Sequence, residues 1–465
     1  MSILAAYCVP HPPLIIPAVG GGEEKKISET IKAYQAVAKE IAALAPDTII
    51  LTTPHLTMYQ NYFHIAPGKG AHGDLSKFGQ PRESIEVEYD EELIRRLCLA
   101  LAEDSFPAGT EGATMKELDH ASFVPLHFIQ QEYQNFKLVR IGLSGLSLSM
   151  HYRLGLYIQT EIEALGRRCV FIASGDLSHR LLEEGPYGFD PNGPVYDQAI
   201  MRILADGSFK DLLTMSPDVY EGAGECGHRS FTIMAGSLDR RAVRTEALSY
   251  EGPFGVGYGV VAIHPQGIDN TRNFLDQFEQ ATLDKTALTR QTASPQVKLA
   301  LAVILAKLEN RKFDLREYTA NEVLPESMTT SKAGVFVSLK KEGQLRGCIG
   351  TIAPTTDSIA REIQRNAIEA AFADPRFNPL EIAEFQALTV SVDVLSPPEP
   401  ISGKAELDPI NYGVIVTNGR RRGLLLPNLP GVDTVDQQIE IAKSKAGISP
   451  GENCSLERFK VVRYE

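Results

Sequence analysis

The 465-residue chain has no tryptophan, and it has no histidine after His264. All ten histidines fall between His11 and His264, so imidazole chemistry is confined to the first part of the chain. Six cysteines are scattered without a CxxC pair, which excludes a disulfide framework. No uninterrupted apolar run reaches the ~20 residues that span a bilayer. Positive charge is in deficit, with 46 Lys and Arg against 59 Asp and Glu, a formal net charge of −13. That balance argues against a broad electrostatic grip on nucleic acid or an anionic membrane. The start, Met1 to Tyr7, lacks a basic region and runs into Pro10-His11-Pro12-Pro13, so it does not read as a secretory signal. A cytoplasmic location is expected. Internal repeats and low-complexity tracts are lacking too.

Ample core-forming material is present. Hydrophobic residues make up 43% and charged residues 23% of the chain, the balance of an ordinary globular protein. The length exceeds the roughly 100–200 residues of one domain, so two domains are expected. Residues 3–9 read as a buried strand, residues 24–44 as a helix with Ile27, Ile31, Tyr34, Ala38 and Ile41 on one face, and Thr48 to Leu51 as the next strand. The pattern returns at Leu138–Ile141, Cys169–Ala173 and Val256–Ile263. Strands alternating with helices predict an α/β domain over 1–265, with a mostly parallel sheet flanked by helices. Residues 266–293 turn polar around a short amphipathic helix carrying Phe274, Leu275 and Phe278. Ser294-Pro295 then reads as the cap and first residue of a new helix. Residues 294–465 follow a different pattern: Leu388, Val390, Val392 and Val394 alternate with polar residues, and Asn418-Gly419 marks a hairpin. This predicts an α+β second domain. A first domain ending near Gln266 is expected to fold and hold its metal alone.

His11, His55 and His179 each sit just beyond a predicted strand, where open α/β sheets bind their ligands. A non-haem iron site of the two-histidine, one-carboxylate type needs two neutral imidazoles and one anionic oxygen, with positions left open. His11 and His55 supply the imidazoles. Glu225, after a glycine-rich turn and before an apolar helix, is a candidate carboxylate. Its neighbours Cys226 and His228 compete for the same duty, and a thiolate or third imidazole would turn the preference toward zinc or copper. His179 suits general acid/base work, with Asp176 to orient it. Asp119-His120 precedes an apolar segment, so His120 is expected to face the pocket, with Asp119 as a possible helix cap. His64 and His72 read as solvated, His127 as part of a helix opened by Pro125, His151 as part of a polar stretch, and His264 as the end of a strand. In the second domain, Cys348 on a glycine-flanked strand is expected to be a buried structural thiol, and Arg420-Arg421-Arg422 a solvated hairpin tip.

Four segments carry a resemblance: Cys8-Val9-Pro10-His11-Pro12-Pro13, Thr53-Pro54-His55, Asp119-His120-Ala121-Ser122-Phe123-Val124-Pro125-Leu126, and Ser174-Gly175-Asp176-Leu177-Ser178-His179. In order and spacing, residues 1–265 resemble the LigB-type class III extradiol dioxygenases and, more distantly, the Memo proteins. The resemblance implies Fe(II) on His11, His55 and Glu225, with His179 as acid/base and His120 lining the substrate pocket. It also implies O2 and a small catecholic or aminophenolic substrate. Memo-like proteins have a cysteine near the late position, corresponding to Cys226. That implies the alternative of a non-cleaving metal-binding redox scaffold. Residues 294–465 resemble the AMMECR domain through Gln344-Leu345-Arg346-Gly347-Cys348-Ile349-Gly350, Ala370–Phe377 and Gly423-Leu424-Leu425-Leu426-Pro427. The tryptophan usual after the last motif is missing here. Bacterial members of that family are associated with Memo-like and radical-SAM proteins, which implies partners in a shared pathway.

Overall fold

A computed structural model describes residues 2–113, 115–429 and 431–465. The chain divides into two compact units, Met1–Glu279 and Gln280–Glu465.

The first unit is built on a six-stranded sheet. Its spatial order is Lys137–Gly142, Thr48–Thr53, Cys169–Ser174, Ile3–Val9, Tyr258–Ile268, Arg241–Glu251. The first four strands run parallel, and the last two form an antiparallel hairpin at one edge. Thr48–Thr53, Cys169–Ser174 and the stretch Ala5–Val9 are buried at every position, as expected for a sheet covered on both faces. Topology matters most at the centre. The strand Cys169–Ser174 comes late in the chain but inserts between Ile3–Val9 and Thr48–Thr53. Three adjacent parallel strands therefore end at one edge, roughly 5 Å apart from neighbour to neighbour. The segments leaving them carry His11, His55 and Asp176 through His179.

The flanking helices are set by local chemistry. Asp119 accepts from the Ser122 N–H and caps the helix His120–Glu132. That helix begins five residues earlier than Pro125 suggests, because the Asp119 cap outranks the proline signal. Ser147 caps Leu148–Leu165 in the same way. The latter half of the late glycine-rich stretch opens the helix His228–Ser237.

Two antiparallel four-stranded sheets form the second unit. One has the order Gln344–Gly350, Val335–Lys341, Leu388–Leu395, Val461–Tyr464, and the helices Pro295–Leu308 and Ile359–Phe372 supply its core together with Val337, Leu339 and Val392. Ser294 caps the first of these helices, as its position before Pro295 predicts. The other sheet contains the hairpin Gly413–Asn418 to Arg421–Leu425, whose turn uses Gly419 at φ 60°.

The connecting segment is one helix, Phe274–Thr292, longer than the sequence pattern suggests. Leu275 is buried in the first core and the Phe274 N–H donates to Asp239. A chain cut at Gln266 would lose that packing, about 1.5–3 kcal/mol for one leucine.

Candidate metal centre

The site lies at the carboxyl ends of the three central strands. His11 is buried, and each of its polar atoms is committed. Its N–H donates to Asp176 Oδ1 at 2.7 Å, and its Nδ1 lies 3.0 Å from Ser174 Oγ. The Ser174 hydroxyl already donates to the Ala121 carbonyl at 2.7 Å. With its only proton spent, Ser174 must accept from His11 Nδ1–H. That fixes the tautomer and leaves the His11 Nε2 lone pair facing the site. Opposite it, 3.2 Å away, is His55 Nε2. Since His11 Nε2 is bare, His55 supplies the proton of this hydrogen bond in the metal-free chain.

Cys226 completes the group. Its Sγ is 3.6 Å from His11 Nε2 and accepts the Asp176 N–H at 3.3 Å. One donor atom each from His11, His55 and Cys226 lie within 4.8 Å of one another, and the same holds for Asp176, His179 and Cys226. Glycine makes this approach feasible. A Cβ on Gly175 would meet Gly227 Cα at 2.1 Å, so the loops carrying Asp176 and Cys226 can touch only with glycine there.

Electrostatics point the same way. Burial, then the neighbouring imidazoles, lower the His11 pKa well below the usual value. Burial lowers His120 and His179 each to about 4, so all these rings are neutral near pH 7 and have lone pairs to give. Asp176 is pushed up to about 7 by burial. The Cys226 thiol is raised well above its ordinary value by burial and by the adjacent Asp176 and Glu225 carboxyls. Without a cation it keeps its proton, and a bound soft metal is what would remove it. Two neutral imidazoles and a thiol fit a borderline or soft ion better than a hard one.

Glu225 is not brought to the histidine pair. Its Oε2 accepts the His228 N–H at 2.5 Å and the Tyr196 hydroxyl at 3.5 Å, and burial raises its pKa to about 7. The helix start at His228 thus occupies the carboxyl, while the next residue turns its sulfur to His11. His228 is also turned away, its Nε2 against the Leu212 carbonyl at 2.9 Å. His120 does reach the site, with its ring 4.3 Å from that of His55 and 5.4 Å from that of His11. His179 Nε2 is 4.0 Å from Asp176 Oδ2 and is buried without a hydrogen-bond partner among the described residues.

Residues 5–261 match the family described as the catalytic LigB subunit of aromatic ring-opening dioxygenase. The chain belongs to the LigB family. Behind this LigB domain, residues 297–465 match AMMECR1. The same architecture extends to Protein CA_C1420 of Clostridium acetobutylicum, 43% identical with all of both chains covered. A Thermotoga maritima protein is 49% identical over 173 residues, which is 37% of this chain and 97% of its own. Among solved structures, the uncharacterized protein PH0010 from Pyrococcus horikoshii covers 36% of this chain and 88% of its own, with 29% identity and a TM-score of 0.33.

Several residues shape the LigB-domain site from behind its candidate ligands, and of these only Arg140 lies outside the four quoted segments. Ser174 sets the tautomer of His11. Arg140, fully buried in a sheet strand, donates to the Met115 and Glu117 carbonyls and sits 3.7 Å from Asp119 Oδ2. Asp119 in turn accepts from Thr53 Oγ1, which accepts the His55 N–H. A lone arginine in a run of apolar strand residues was the available signal. Other histidines are structural. His64 is buried against the Glu111 carbonyl rather than solvated, and His151 is buried with Nδ1 on the Ser147 carbonyl. His264 pairs with Glu40 at 2.6 Å. In the second unit Cys348 is half-buried, its sulfur accepting from Ser338 at 3.2 Å, and Arg421 and Arg422 pair with Glu452 and Glu457. No helix among the described residues is long and apolar enough to cross a membrane.

Proposed function

We propose that the LigB domain is a metal-dependent redox centre whose ion is held by His11, His55 and Cys226, acting on a small aromatic molecule with O2 as co-substrate. The convergence of those three donor atoms carries the reading. A bound iron or copper ion would supply Lewis acidity and a one-electron couple. The chain's own residues do the rest. His179 Nε2, without a hydrogen-bond partner among the described residues, would take a proton from a substrate hydroxyl and return it. His120, neutral beside His55, lines the pocket as a hydrogen-bonding wall. The donor set favours the Memo-like redox alternative over ring cleavage with Glu225, because the Glu225 carboxyl is engaged at the start of the His228 helix.

One observation favours a second reading. Asp176 Oδ2 lies 3.9 Å from His11 Nε2. A two-histidine, one-carboxylate Fe(II) set completed by Asp176 would retain extradiol ring cleavage. Zinc is the non-redox outcome. The AMMECR1 domain and any radical-SAM partner belong to the same proposed pathway. Elemental analysis of the full chain, purified without added metal, tests the reading. We expect close to one equivalent of iron or copper, lost in His11→Ala. Metal-free protein that refuses anaerobic loading, or metal retained by His11→Ala, overturns it.

A further inference from the structure

Two aromatic side chains stand exposed beside the histidine cluster. Phe78 is 39% exposed and Tyr187 62% exposed. Each comes from a different segment, and each rests on a site histidine. Phe78 lies at the tip of the hairpin Gly70–Leu75 to Gln80–Glu88, just before the left-handed turn at Gly79 (φ 77°). Its ring centroid is 5.7 Å from that of His120, edge to face. Tyr187 stacks on His179 at 5.1 Å with an interplanar angle of 25°. His120 touches both metal-ligand candidates, and His179 reaches the same centre through Asp176. Phe78 is therefore one side chain removed from the donor atoms, through His120, and Tyr187 two, through His179 and Asp176.

Neither placement is that of a loose tether. The Tyr187 loop is closed at its base by the Leu181–Phe189 bridge and by the Asp190 N–H donating to the Arg180 carbonyl at 3.1 Å. The Leu181 N–H donates to the Gly255 carbonyl at 3.1 Å, tying the loop to the edge hairpin. A hairpin tip is ordinarily polar, and the neighbours Ser76, Lys77 and Gly79 keep to that rule. Phe78 departs from it at the one place where the tip meets the site.

We propose that Phe78 and Tyr187 are the specificity-determining residues of the site, a pair of aromatic surfaces that select a flat ring. Exposed aromatic faces gain most by stacking on another π-system, and a saturated ring of equal hydrophobicity forfeits that gain. The buried, unpartnered His179 Nε2 marks where a polar group of the ring would arrive. This deepens the reading above and rests on it, since it names what the same centre accepts.

The test is a binding titration of the full chain with salicylate, a flat fluorescent anion, after the metal is stripped with a chelator. The chain has no tryptophan, so salicylate emission is read without a competing indole. Salicylate should bind, with cyclohexanecarboxylate at least about fivefold weaker as a competitor. Phe78→Ala and Tyr187→Ala should each weaken salicylate about three- to tenfold, while Tyr187→Phe restores it. Both aromatic variants change exposed side chains, so unaltered thermal melting is the folding control. Equal affinity for the flat and saturated anions, or wild-type affinity in both alanine variants, overturns the proposal. Metal content measured on the same variants keeps the two readings separate. A wild-type chain that holds metal but binds the flat and saturated anions equally defeats only the specificity pair, whereas selective binding by a chain that never takes up metal defeats only the metal centre.

Discussion

In the LigB unit burial holds the site imidazoles neutral, whereas in the AMMECR1 unit hydrogen bonds hold buried carboxyls charged. Burial lowers His120, His151, His179 and His228 and raises Asp176 and Glu225 to about 7. In the second unit Asp374 is held well below the usual carboxylate range by hydrogen bonds from Arg376 and by the Cys348 N–H. Glu362, fully buried, is likewise held below that range, against its burial, by hydrogen bonds from Thr351, Thr355 and Thr356. Neutral imidazoles keep lone pairs available to a cation, while ion-paired carboxylates have already spent theirs. The contrast separates a site that can accept a cation from carboxyls already committed to internal donors.

The sharpest way to break that division is to disturb the tautomer. Ser174→Ala removes the acceptor for His11 Nδ1–H, and metal affinity should fall about 10- to 100-fold, measured by competition with a chelator. Cys348→Ser, in the other unit, should leave it unchanged. If both variants lose metal alike, the site is not confined to the LigB unit.

Next in size is the ionic framework. Asp374→Ala strips the acceptor from the Cys348 N–H and from three hydrogen bonds of Arg376, one backbone and two guanidinium. It should destabilise the second unit by about 1–3 kcal/mol in denaturant unfolding, with metal content unaffected. Equal loss in the first unit would show that the two do not respond separately.

A third prediction concerns acid. An unfolded histidine takes up a proton near pH 6.5, but burial keeps folded His151 neutral down to about 3. Its contribution is therefore complete above pH 6.5 and is lost as pH falls toward 3. Asp176 and Glu225, raised to about 7, act in the opposite sense, since the folded chain protonates them before the unfolded chain does. The overall acid slope is a difference, so the single variant is the clean probe. His151→Gln should take up about one proton fewer on unfolding at pH 5, seen as a shallower loss of stability from pH 7 to 5. An unchanged slope would mean that His151 is protonated in the folded chain.

Much of this was legible in the sequence, and the reasons are specific. Strand-end positions after apolar runs exposed His11, His55 and His179, and the Asp119 cap announced His120. The choice between Glu225 and Cys226 was not legible. Adjacent residues on a turn point in different directions, and which one faces the sheet edge depends on the Gly175–Gly227 contact made across fifty residues of chain. His64 read as solvated and His151 only as part of a polar stretch, because their polar neighbours were visible and their tertiary burial was not. Phe78 and Tyr187 were invisible for the reverse reason, being ordinary aromatics until the fold sets them beside His120 and His179.

The smallest expected effect separates those two neighbours. Glu225→Gln keeps an oxygen to accept the His228 N–H, and the native carboxyl is already half-neutral near pH 7. Metal binding should be unchanged and stability altered by less than about 1 kcal/mol. A loss of metal comparable to that of Ser174→Ala would return the ligand role to Glu225.

X-ray absorption at the metal edge of the loaded full chain tests the central claim most directly, because sulfur and oxygen scatter differently at different distances. The account predicts one sulfur at about 2.3 Å together with two imidazole shells, and loss of the sulfur shell in Cys226→Ser. A first shell of nitrogen and oxygen alone, unchanged by Cys226→Ser, would contradict it.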